Sequence, residues 1–397
     1  AADSGGAIAV AGASTAYVAS SEFRENRAGI AGGAVWNDHY GALEVTDSVF
    51  AGNQVSEGDD AGGGAIATRG QAVVDSSTLV GNSSSGSGGA VWNEGSLVVR
   101  RSRILANSSQ VQGGGVFTWG LAEIQESALV ANVSEQGAGV ANGDRLTLTN
   151  VTVSGNEAQS VGGGIYTLGA GPAVVFSTFY GNSAAEDGAA IFVTGSDRVT
   201  VKNSVIARAQ ISSAPNCSGA VEAAGVNYAD DASCDGFVPV STAELGLGPL
   251  QDNGGGTETH ALQHSSVAID AAADCTDAQG NPVATDQRGQ TRPGGSACDA
   301  GSFELSDDER EQPTPDPTPP ASRTPTPTPS EDVTPQPVCI GDCDGSQQCT
   351  IDELITMVNI ALNLRSIEEC TAGDANGDGQ VTIEEILMAV DRSLNGC

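Results

Sequence analysis

The segment Ser77-Thr78-Leu79-Val80-Gly81-Asn82 contains a pattern that recurs along the first half of the chain. In most copies a serine or threonine lies two residues before an apolar residue, and an asparagine follows three residues later. Successive copies are 24 to 29 residues apart, and they end at Asn26, Asn53, Asn82, Asn107, Asn132, Asn156 and Asn182. A nearly constant period of this length is the signature of a repeat architecture.

Each repeat contains two further apolar segments. A triplet of two small residues and one apolar residue, such as Gly89-Ala90-Val91, follows most of the asparagines. A third apolar segment comes next, as in Leu97-Val98-Val99. The sequence therefore predicts three short strands per repeat, separated by polar corners rich in Gly, Asn and Ser.

A coil of stacked repeats satisfies the backbone of these strands. A propeller blade needs about 40 residues, and no helix is present to connect parallel strands of a βαβ unit. Winding the chain into a coil pairs each strand with its copy in the next coil. We therefore predict an all-β parallel β-helix over residues 1–210, with three strands per coil and about 8 coils. The asparagines should stack at one corner, and the small residues should lie where backbones approach closely.

The repeats also resemble a known class of proteins. Gly5-Gly6-Ala7-Ile8 and Ser48-Val49-Phe50-Ala51-Gly52-Asn53 are similar to the repeats of right-handed β-helix surface proteins of the polymorphic outer-membrane and autotransporter type. This resemblance covers about residues 1–210 and implies a right-handed coil in a secreted or cell-surface protein. The same scaffold carries adhesins, lyases and tailspikes, so the fold alone does not identify the function.

Charge and composition exclude several classes of partner. Fifty acidic residues against sixteen basic residues give a formal charge of −34, which repels the phosphates of nucleic acids and anionic membranes. No apolar stretch approaches the length of about 20 residues that spans a bilayer, and no signal peptide is visible. Because the sequence begins inside a repeat, we expect that residues preceding Ala1 have been removed from an exported chain.

Nine cysteines occur in the chain, and none of them precedes Cys217. They lack the C-x-x-C spacing of zinc sites, which favours disulfides and an oxidising compartment. By proximity the expected pairs are Cys217–Cys234 and Cys275–Cys298. Cys343 and Cys349 flank a turn where they could form a local disulfide. The odd number leaves at least one cysteine without an intramolecular partner.

Residues 211–305 lose the repeat rhythm. Segments such as Asp252-Asn253-Gly254-Gly255 and Thr285-Asp286-Gln287-Arg288-Gly289 resemble the choice-of-anchor region that follows β-helices in secreted bacterial proteins. We expect this region to cap the last coil, because an open apolar coil invites aggregation. Five of its residues could perform acid–base chemistry or form ion pairs within the cap, and we favour the second role: His260, Asp270, Asp286, Arg288 and Asp299.

A proline-rich tether precedes the last predicted domain. Ten prolines lie between Pro313 and Pro337, so residues 306–337 are predicted to form a polyproline spacer that could extend over roughly 90 Å. Residues 338–397 then contain two aligned acidic segments, 342–353 and 374–385, whose starts are 32 residues apart. Calcium prefers six to eight oxygen ligands, which a loop of about twelve residues supplies from alternate positions.

Both segments are predicted to bind calcium, the second more strongly. In the second loop the predicted ligands are Asp374, Asn376, Asp378, the Gln380 carbonyl, Thr382 and Glu385. In the first loop they are Asp342, Asp344, Ser346, the Gln348 carbonyl, Thr350 and Glu353. Gly379 permits the sharp turn in the second loop, whereas the first loop has Gln347 at that position.

Each loop runs into a predicted amphipathic helix, over 354–364 and 386–394, with matching apolar positions that include Val358 and Val390. Such paired loop–helix repeats after a Pro/Thr linker resemble a dockerin module. Dockerins bind cohesin receptors, and the resemblance places Ile351-Asp352 and Ile383-Glu384 at the contact positions. These pairs differ from the small Ser/Thr pairs common in that family, so a purely structural calcium role is left open beside a cohesin-like or cell-envelope partner.

Three hypotheses for function follow. We favour a non-catalytic binding or adhesive rod, with a glycan or another cell as the partner. The alternative is a polysaccharide lyase or hydrolase, for which Asp59-Asp60 superficially resembles a catalytic pair, although no Gly-His-Gly partner occurs. A third possibility is a filament subunit that associates head to tail through its open coil.

Overall fold

The chain is described by a computed structural model. It describes residues 2–57, 62–169, 171–195, 198–208, 213–307, 309, 340–343, 349–361, 367, 370–374, 381, 386 and 389. Two compact units are present, Ala1–Pro317 and Thr318–Cys397. In the described part of the chain no helix has the length and apolar composition needed to cross a membrane.

Four parallel sheets form the walls of a β-solenoid of about nine turns. Sheet A contains β1 (Ala2–Ser4), β5 (Arg27–Ala31), β9 (Gln54–Val55), β13 (Ser83–Ser84), β17 (Ser108–Ser109), β21 (Val133–Gln136), β25 (Glu157–Val161) and β29 (Ser183–Ala184). Sheet B contains β2 (Ile8–Val10), β6 (Val35–Asn37), β10 (Ile66–Thr68), β14 (Val91–Asn93), β18 (Val116–Thr118), β22 (Val140–Asn142), β26 (Ile165–Thr167), β30 (Ile191–Val193) and β33 (Cys217–Ser218).

The other two walls have the same parallel pairing. Sheet C contains β3 (Thr15–Ala19), β7 (Ala42–Thr46), β11 (Gln71–Asp75), β15 (Ser96–Arg100), β19 (Leu121–Gln125), β23 (Leu146–Thr149), β27 (Ala173–Val175), β31 (Val199–Lys202) and β34 (Val221–Ala224). Sheet D contains β4 (Glu22–Arg24), β8 (Val49–Ala51), β12 (Thr78–Val80), β16 (Arg103–Leu105), β20 (Ala128–Val130), β24 (Thr152–Ser154), β28 (Thr178–Tyr180), β32 (Val205–Ala207), β35 (Tyr228–Ala229) and β36 (Val238–Pro239).

The predicted parallel β-helix is confirmed, but the first eight coils have four strands rather than the three predicted, and the solenoid has about nine turns rather than about eight. The additional strand is that of sheet A, which follows each asparagine directly. In the central coils it is two residues long and polar, as in Ser83–Ser84 and Ser108–Ser109. Such a strand lacks the apolar alternation by which strands are recognised in a sequence.

The predicted asparagine ladder is confirmed at the corner between sheets D and A. Asn107 is fully buried, and its backbone N–H and side-chain amide both donate to Oδ1 of Asn132, at 3.0 Å each. The same side-chain amide donates to the carbonyl of Leu79 in the preceding coil, at 3.0 Å. Each carboxamide therefore replaces the backbone bonds that the strands lose where the chain turns.

A second ladder lies at the corner between sheets C and D and was not predicted. The backbone N–H of Ser77 donates to Oγ of Ser102 at 3.1 Å, and that of Ser102 donates to Oγ of Ser127 at 3.1 Å. The residue before each serine has a positive φ, 47° at Ser76, which turns the chain sharply. At the opposite corner, a Cβ atom on Gly89 would lie 2.1 Å from the Gly114 carbonyl oxygen, which confirms the predicted close approach.

The interior of the solenoid is filled by one continuous apolar cluster. Its largest members include Phe50, Leu79, Ile104, Leu129 and Phe179, all fully buried. Because strand side chains alternate between faces, the residues between them point outward and form the surface of the rod.

The segment that follows the last coil packs along the side of the solenoid. It contains a short helix, α1 (Thr242–Leu245), and an antiparallel hairpin of β37 (Leu247–Gln251) and β38 (Thr259–Leu262). Leu245, Leu262 and Phe303 pack with Val205 and Ala207 of β32. We call residues 242–307 the lateral segment.

The predicted closing region, residues 211–305, has two parts in the structure. Its first part supplies five buried residues to the interior cluster of the solenoid: Cys217, Val221, Ala229, Cys234 and Phe237. The lateral segment instead covers the outer face of sheet D, where Val205 and Ala207 would otherwise expose apolar surface. The Cys217–Cys234 and Cys275–Cys298 disulfides are confirmed.

The second unit has a small apolar core around α2 (Ile351–Ala361). Met357 and Ile360 are buried with Cys349, Val381 and Ala389. Val358, one of the matching apolar positions of the predicted helices, is 40% exposed, because Met357 and Ile360 define the buried face of the helix. Val390, Leu362 and most of the second predicted helix lie outside the described residues.

Candidate functional site

A shallow groove of about 390 Å³ crosses the outer face of sheet A. It is lined by Gln54, Val55, Ser56, Ser83, Ser84, Ser85, Ser108, Ser109, Gln110, Val133 and Gln159. These residues come from β9, β13, β17, β21 and β25, or directly follow them, so the groove spans five consecutive coils. At a strand spacing of about 4.8 Å, the first and last coils are roughly 19 Å apart.

The register of sheet A places the polar side chains of this sheet A groove in a row. Gln54 pairs with Ser83, Ser83 pairs with Ser108, and Ser108 pairs with Val133. Hydroxyl and carboxamide groups can each donate and accept hydrogen bonds. None of the described residues that line this groove is ionisable. It can therefore bind a neutral, hydrogen-bonding ligand that extends along the solenoid.

His260, a candidate for acid–base chemistry, is buried between the lateral segment and sheet D. Its Nδ1 lies 2.7 Å from the Gly248 carbonyl oxygen, and its Nε2 lies 3.0 Å from Oγ of Ser154. The carbonyl can only accept, so Nδ1 carries the proton of a neutral ring and Nε2 accepts from the Ser154 hydroxyl. Burial lowers the pKa of His260 to about 4, which keeps the ring neutral near pH 7.

Asp286 and Arg288 form a buried ion pair inside the lateral segment, at 2.9 Å. The Asp286 carboxylate also accepts from the backbone N–H groups of Arg288 and Gln290, and the Arg288 guanidinium lies 3.6 Å from the ring centroid of Phe303. The predicted role of this pair in turn contacts and ion pairing is confirmed. Neither group is turned toward an open cavity, since the Arg288 side chain is 2% exposed and that of Asp286 is 0% exposed.

A second buried ion pair, Arg292–Glu304 at 2.6 Å, was not predicted. Arg292 also donates to the carbonyls of Asp299 and Gly301. Burial, reinforced by the nearby Glu304 carboxylate, raises the pKa of Asp299 to about 6. The Asp299 carboxylate accepts from the backbone N–H groups of Asp270 and Leu305, at 2.7 Å and 2.6 Å.

The five acid–base candidates are thus distributed over two environments. Asp286, Arg288 and Asp299 contact Glu304 of the Arg292–Glu304 pair, and Asp270 is bonded to Asp299. His260 instead contacts Ser154 and Gly248. The hydrogen bonds and ion pairs of these groups hold the lateral segment in place. Asp59-Asp60 lies outside the described residues.

Three of the predicted ligands of the first calcium loop are described. The Glu353 carboxylate is buried and accepts from the backbone N–H of Cys343 at 2.7 Å, and from the backbone N–H and hydroxyl of Thr350 at 2.7 and 2.8 Å. Glu353, the last predicted ligand, is therefore bonded to Cys343 at the start of the segment, next in sequence to half-buried Asp342. These oxygen donors are of the type that calcium prefers.

The remaining ligands do not enter a described site. Asp344, Ser346 and Gln348 lie outside the described residues, as do Asn376, Asp378, Gln380, Thr382 and Glu385. Asp374 directly follows a 3-10 helix, Thr371–Gly373. In the described residues no group of three or more His, Cys, Asp or Glu side chains is arranged to hold a metal ion. Calcium binding at both loops stays a prediction.

The predicted local disulfide of the first loop is wrong. Cys343 is bonded to Cys370, 27 residues away, and Cys349 is a buried free thiol. Burial raises the pKa of Cys349, which makes the thiol unreactive at neutral pH. The disulfide joins the start of the first loop to the segment that precedes the second loop, a pairing that spacing alone could not identify.

Two segments of the chain match a known family. Residues 150–168 and 176–194 match the Chlamydia polymorphic membrane protein repeat. Each match begins near the corner between sheets C and D, includes the ladder asparagine and ends at sheet B. No curated protein and no solved structure matches the chain.

Sequence reasoning identified the ladder asparagines but not the groove on sheet A. The signal was present as pairs of small polar residues directly after Asn82 and Asn107, namely Ser83-Ser84 and Ser108-Ser109. Such pairs are typical of turns as well as of short strands, so only the coil geometry identifies them as one surface.

Proposed function

We propose that this protein is a secreted or cell-surface β-helix protein that acts as a non-catalytic binding rod for a neutral glycan. The groove on sheet A is the observation that carries this proposal. Its hydroxyl and carboxamide groups come from four of the five coils that the groove crosses, with Val133 in the remaining coil, and this length suits a linear polymer rather than a small molecule. The two polymorphic membrane protein repeats support a surface location.

The charge of the chain supports a neutral ligand over an acidic one. With a formal charge of −34, the protein repels polyanions at long range. A neutral polymer has no such penalty, and the uncharged lining of the groove leaves no buried charge unpaired when it binds.

A retention experiment tests this proposal. The full chain, with calcium present, is incubated with insoluble cellulose, xylan, mannan and β-glucan, and with polygalacturonate and alginate. Bound protein and newly formed reducing ends are both measured. We expect retention on at least one neutral polymer without new reducing ends.

Matched variants locate the binding surface. Ser108→Trp fills the groove on sheet A, whereas Thr15→Trp introduces the same bulky side chain at an exposed position of β3 in sheet C. We expect the first variant to lose most of the retention and the second to keep it. Retention that is unchanged in Ser108→Trp would refute the groove as the site, and new reducing ends would favour the polysaccharide lyase or hydrolase.

The C-terminal unit is proposed to bind two calcium ions and to attach the rod, through the predicted 306–337 spacer, to a cohesin-like or cell-envelope partner. Closure of the first loop through Glu353 supports this proposal. Calorimetric titration of the calcium-depleted full chain should show two equivalents of calcium. Glu385→Gln and Glu353→Gln should each remove one equivalent, while Glu222→Gln, on β34 of the first unit, should remove none.

Absence of calcium-dependent heat would overturn the calcium proposal and leave the groove proposal intact. If calcium binds but the full chain is not retained by a cohesin module, the calcium role is structural. Head-to-tail association is the third hypothesis, and a single monomeric species in analytical ultracentrifugation would argue against it.

A further inference from the structure

Trp119 is held as a rigid, half-exposed platform at the corner between sheets B and C. Its side chain is 48% exposed. A Cβ atom built on Gly143, in the next coil, would lie 1.9 Å from Cε3 and 2.2 Å from Cζ3 of the indole. The ring therefore occupies the space that any other residue at position 143 would fill. Phe117 contacts the indole edge-on, with ring centroids 5.9 Å apart.

The backbone beneath this ring is fixed by the coil. Trp119 N–H donates to the Asn93 carbonyl at 2.8 Å, and Gly143 N–H donates to the Thr118 carbonyl at 2.7 Å. A ring held in this way loses little conformational freedom when a ligand covers its exposed part.

A depression of about 280 Å³ on the outer face of sheet C is lined by residues of the coil that contains Trp119 and of the two coils beside it. Leu121, two residues after Trp119, lines it and is 47% exposed. The depression is lined by Ser96, Leu97, Val98, Leu121, Ala122, Glu123, Arg145 and Thr147. Arg145 is two residues after Gly143, and its carbonyl accepts from Ala122 N–H at 2.9 Å. The backbone of Arg145 is therefore fixed beside the coil that carries Trp119.

Glu123 lies in register between Val98 and Thr147. The lining thus combines one carboxylate, one guanidinium and two hydroxyls with an apolar floor. A carboxylate accepts hydrogen bonds from hydroxyl groups, and a guanidinium donates to them.

We propose that Trp119 and this depression form a binding site for a pyranose ring of a neutral glycan. The inference deepens the proposed function, on which it rests, by adding a stacking subsite on a different wall of the rod. The C–H face of a pyranose is weakly positive and packs against the negative face of an indole. Glu123 and Arg145 then bond the equatorial hydroxyls, and their opposite charges leave the site neutral overall.

An apolar peptide is a poorer occupant, because it would bury Glu123 and Arg145 without giving them partners. A polyanion is disfavoured by the charge of the chain and by Glu123. A volume of about 280 Å³ lies just below the usual range for drug-sized ligands, which suits one or two sugar rings.

The test uses soluble cellohexaose, xylohexaose, mannohexaose and laminarihexaose with the full chain. Binding is measured by calorimetry and by protection of tryptophan fluorescence from acrylamide. Trp92 is buried and Trp36 is half-buried, so quenching reports chiefly on Trp119. We expect at least one hexasaccharide to bind and to shield Trp119.

Three variants provide the comparison. Trp119→Ala should weaken the affinity about tenfold. Gly143→Ala should weaken it as well, because the new methyl group displaces the indole without removing it. Tyr40→Ala changes an 80% exposed aromatic residue at the same corner of an earlier coil and should leave the affinity unchanged. Circular dichroism verifies that each variant is folded.

The outcomes separate this inference from the proposed function. Unchanged affinity in folded Trp119→Ala, with binding abolished by Ser108→Trp, would overturn the inference and leave the groove on sheet A as the glycan site. Polymer retention without any hexasaccharide binding near Trp119 would do the same. Failure of every hexasaccharide and every neutral polymer to bind would overturn both proposals.

Discussion

At the scale of single residues, the fold depends on buried polar side chains that replace backbone hydrogen bonds. Asn107 accepts from the N–H and the side-chain amide of Asn82, and it donates to Asn132 and Leu79. An unsatisfied buried donor or acceptor costs more than a hydrogen bond contributes, so each asparagine protects several neighbours.

Replacement of a central ladder residue should therefore destabilise the rod. We expect Asn107→Ala to lower the free energy of unfolding by about 3 kcal/mol, because buried groups in both neighbouring coils lose their partners. The terminal residue Asn26 donates to Asn53. Asn26→Ala, as the control, should cost only about 1 kcal/mol. Urea denaturation followed by circular dichroism measures the free energy of unfolding of both variants. Equal losses of stability would contradict the proposal that a central asparagine stabilises both neighbouring coils.

His260 makes stability depend on pH. Its pKa is about 4 in the folded chain and near 6.5 when unfolded, so the folded state binds the proton less tightly. The contribution is fully present above pH 6.5 and is lost as the pH falls through 4, by about 3 kcal/mol.

His260→Gln should remove this loss, while His264→Gln, at an exposed position, should keep it. Thermal unfolding between about pH 4 and 7 measures the effect. Asp299 has the opposite effect on stability, since its raised pKa favours the folded state at low pH. Because wild type and both variants contain Asp299, its effect cancels when their pH profiles are compared. An identical pH profile for wild type and His260→Gln would refute the assignment.

At the scale of elements, the lateral segment is attached by a buried ionic network and by apolar contacts. Arg292 joins Glu304 to the carbonyls of Asp299 and Gly301, and its guanidinium lies 4.5 Å from the ring centroid of Phe176 at the solenoid corner. Arg103 on β16 and Lys202 on β31 form further ion pairs with Glu258 and Asp274 of the segment.

Removal of the Arg292 charge should loosen this element selectively. Arg292→Leu leaves Glu304 buried without its cation, and we expect a loss of about 4 kcal/mol. Amide exchange should accelerate over residues 242–307 and remain slow in sheet B. Arg145→Leu, at an exposed position, is the control. Uniform acceleration over all coils would show instead that the segment and the solenoid unfold as one unit.

At the scale of the whole molecule, the acidic surface selects the kind of ligand that can approach. If the ligand is neutral, screening of surface charge should have little effect on binding. Raising sodium chloride from about 0.1 M to about 1 M shortens the screening length from about 10 Å to about 3 Å. We expect retention on the neutral polymer to stay within about twofold over this range. A steep loss of retention with salt would indicate a charged ligand and contradict the proposed function.

Much of the architecture could be predicted because the pattern repeats. Each ladder asparagine, each inward apolar residue and each Gly-Gly corner occurs many times, so local ambiguity is averaged out over the coils. The strands of sheet A could not be predicted, because Ser83-Ser84 and Ser108-Ser109 acquire strand geometry only by pairing with the coils on either side.

The amino-acid order alone therefore specified a parallel coil, its asparagine corner and two of its disulfides, since these depend on periodicity and proximity along the chain. Contacts between distant residues required the folded chain. Four features depend on contacts between segments that are far apart or in different coils: the lateral position of residues 242–307, the Arg292–Glu304 pair, the Cys343–Cys370 bond and the indole of Trp119 over Gly143. No local pattern encodes that choice, because it is made by the burial of surfaces that form only after the coils have stacked.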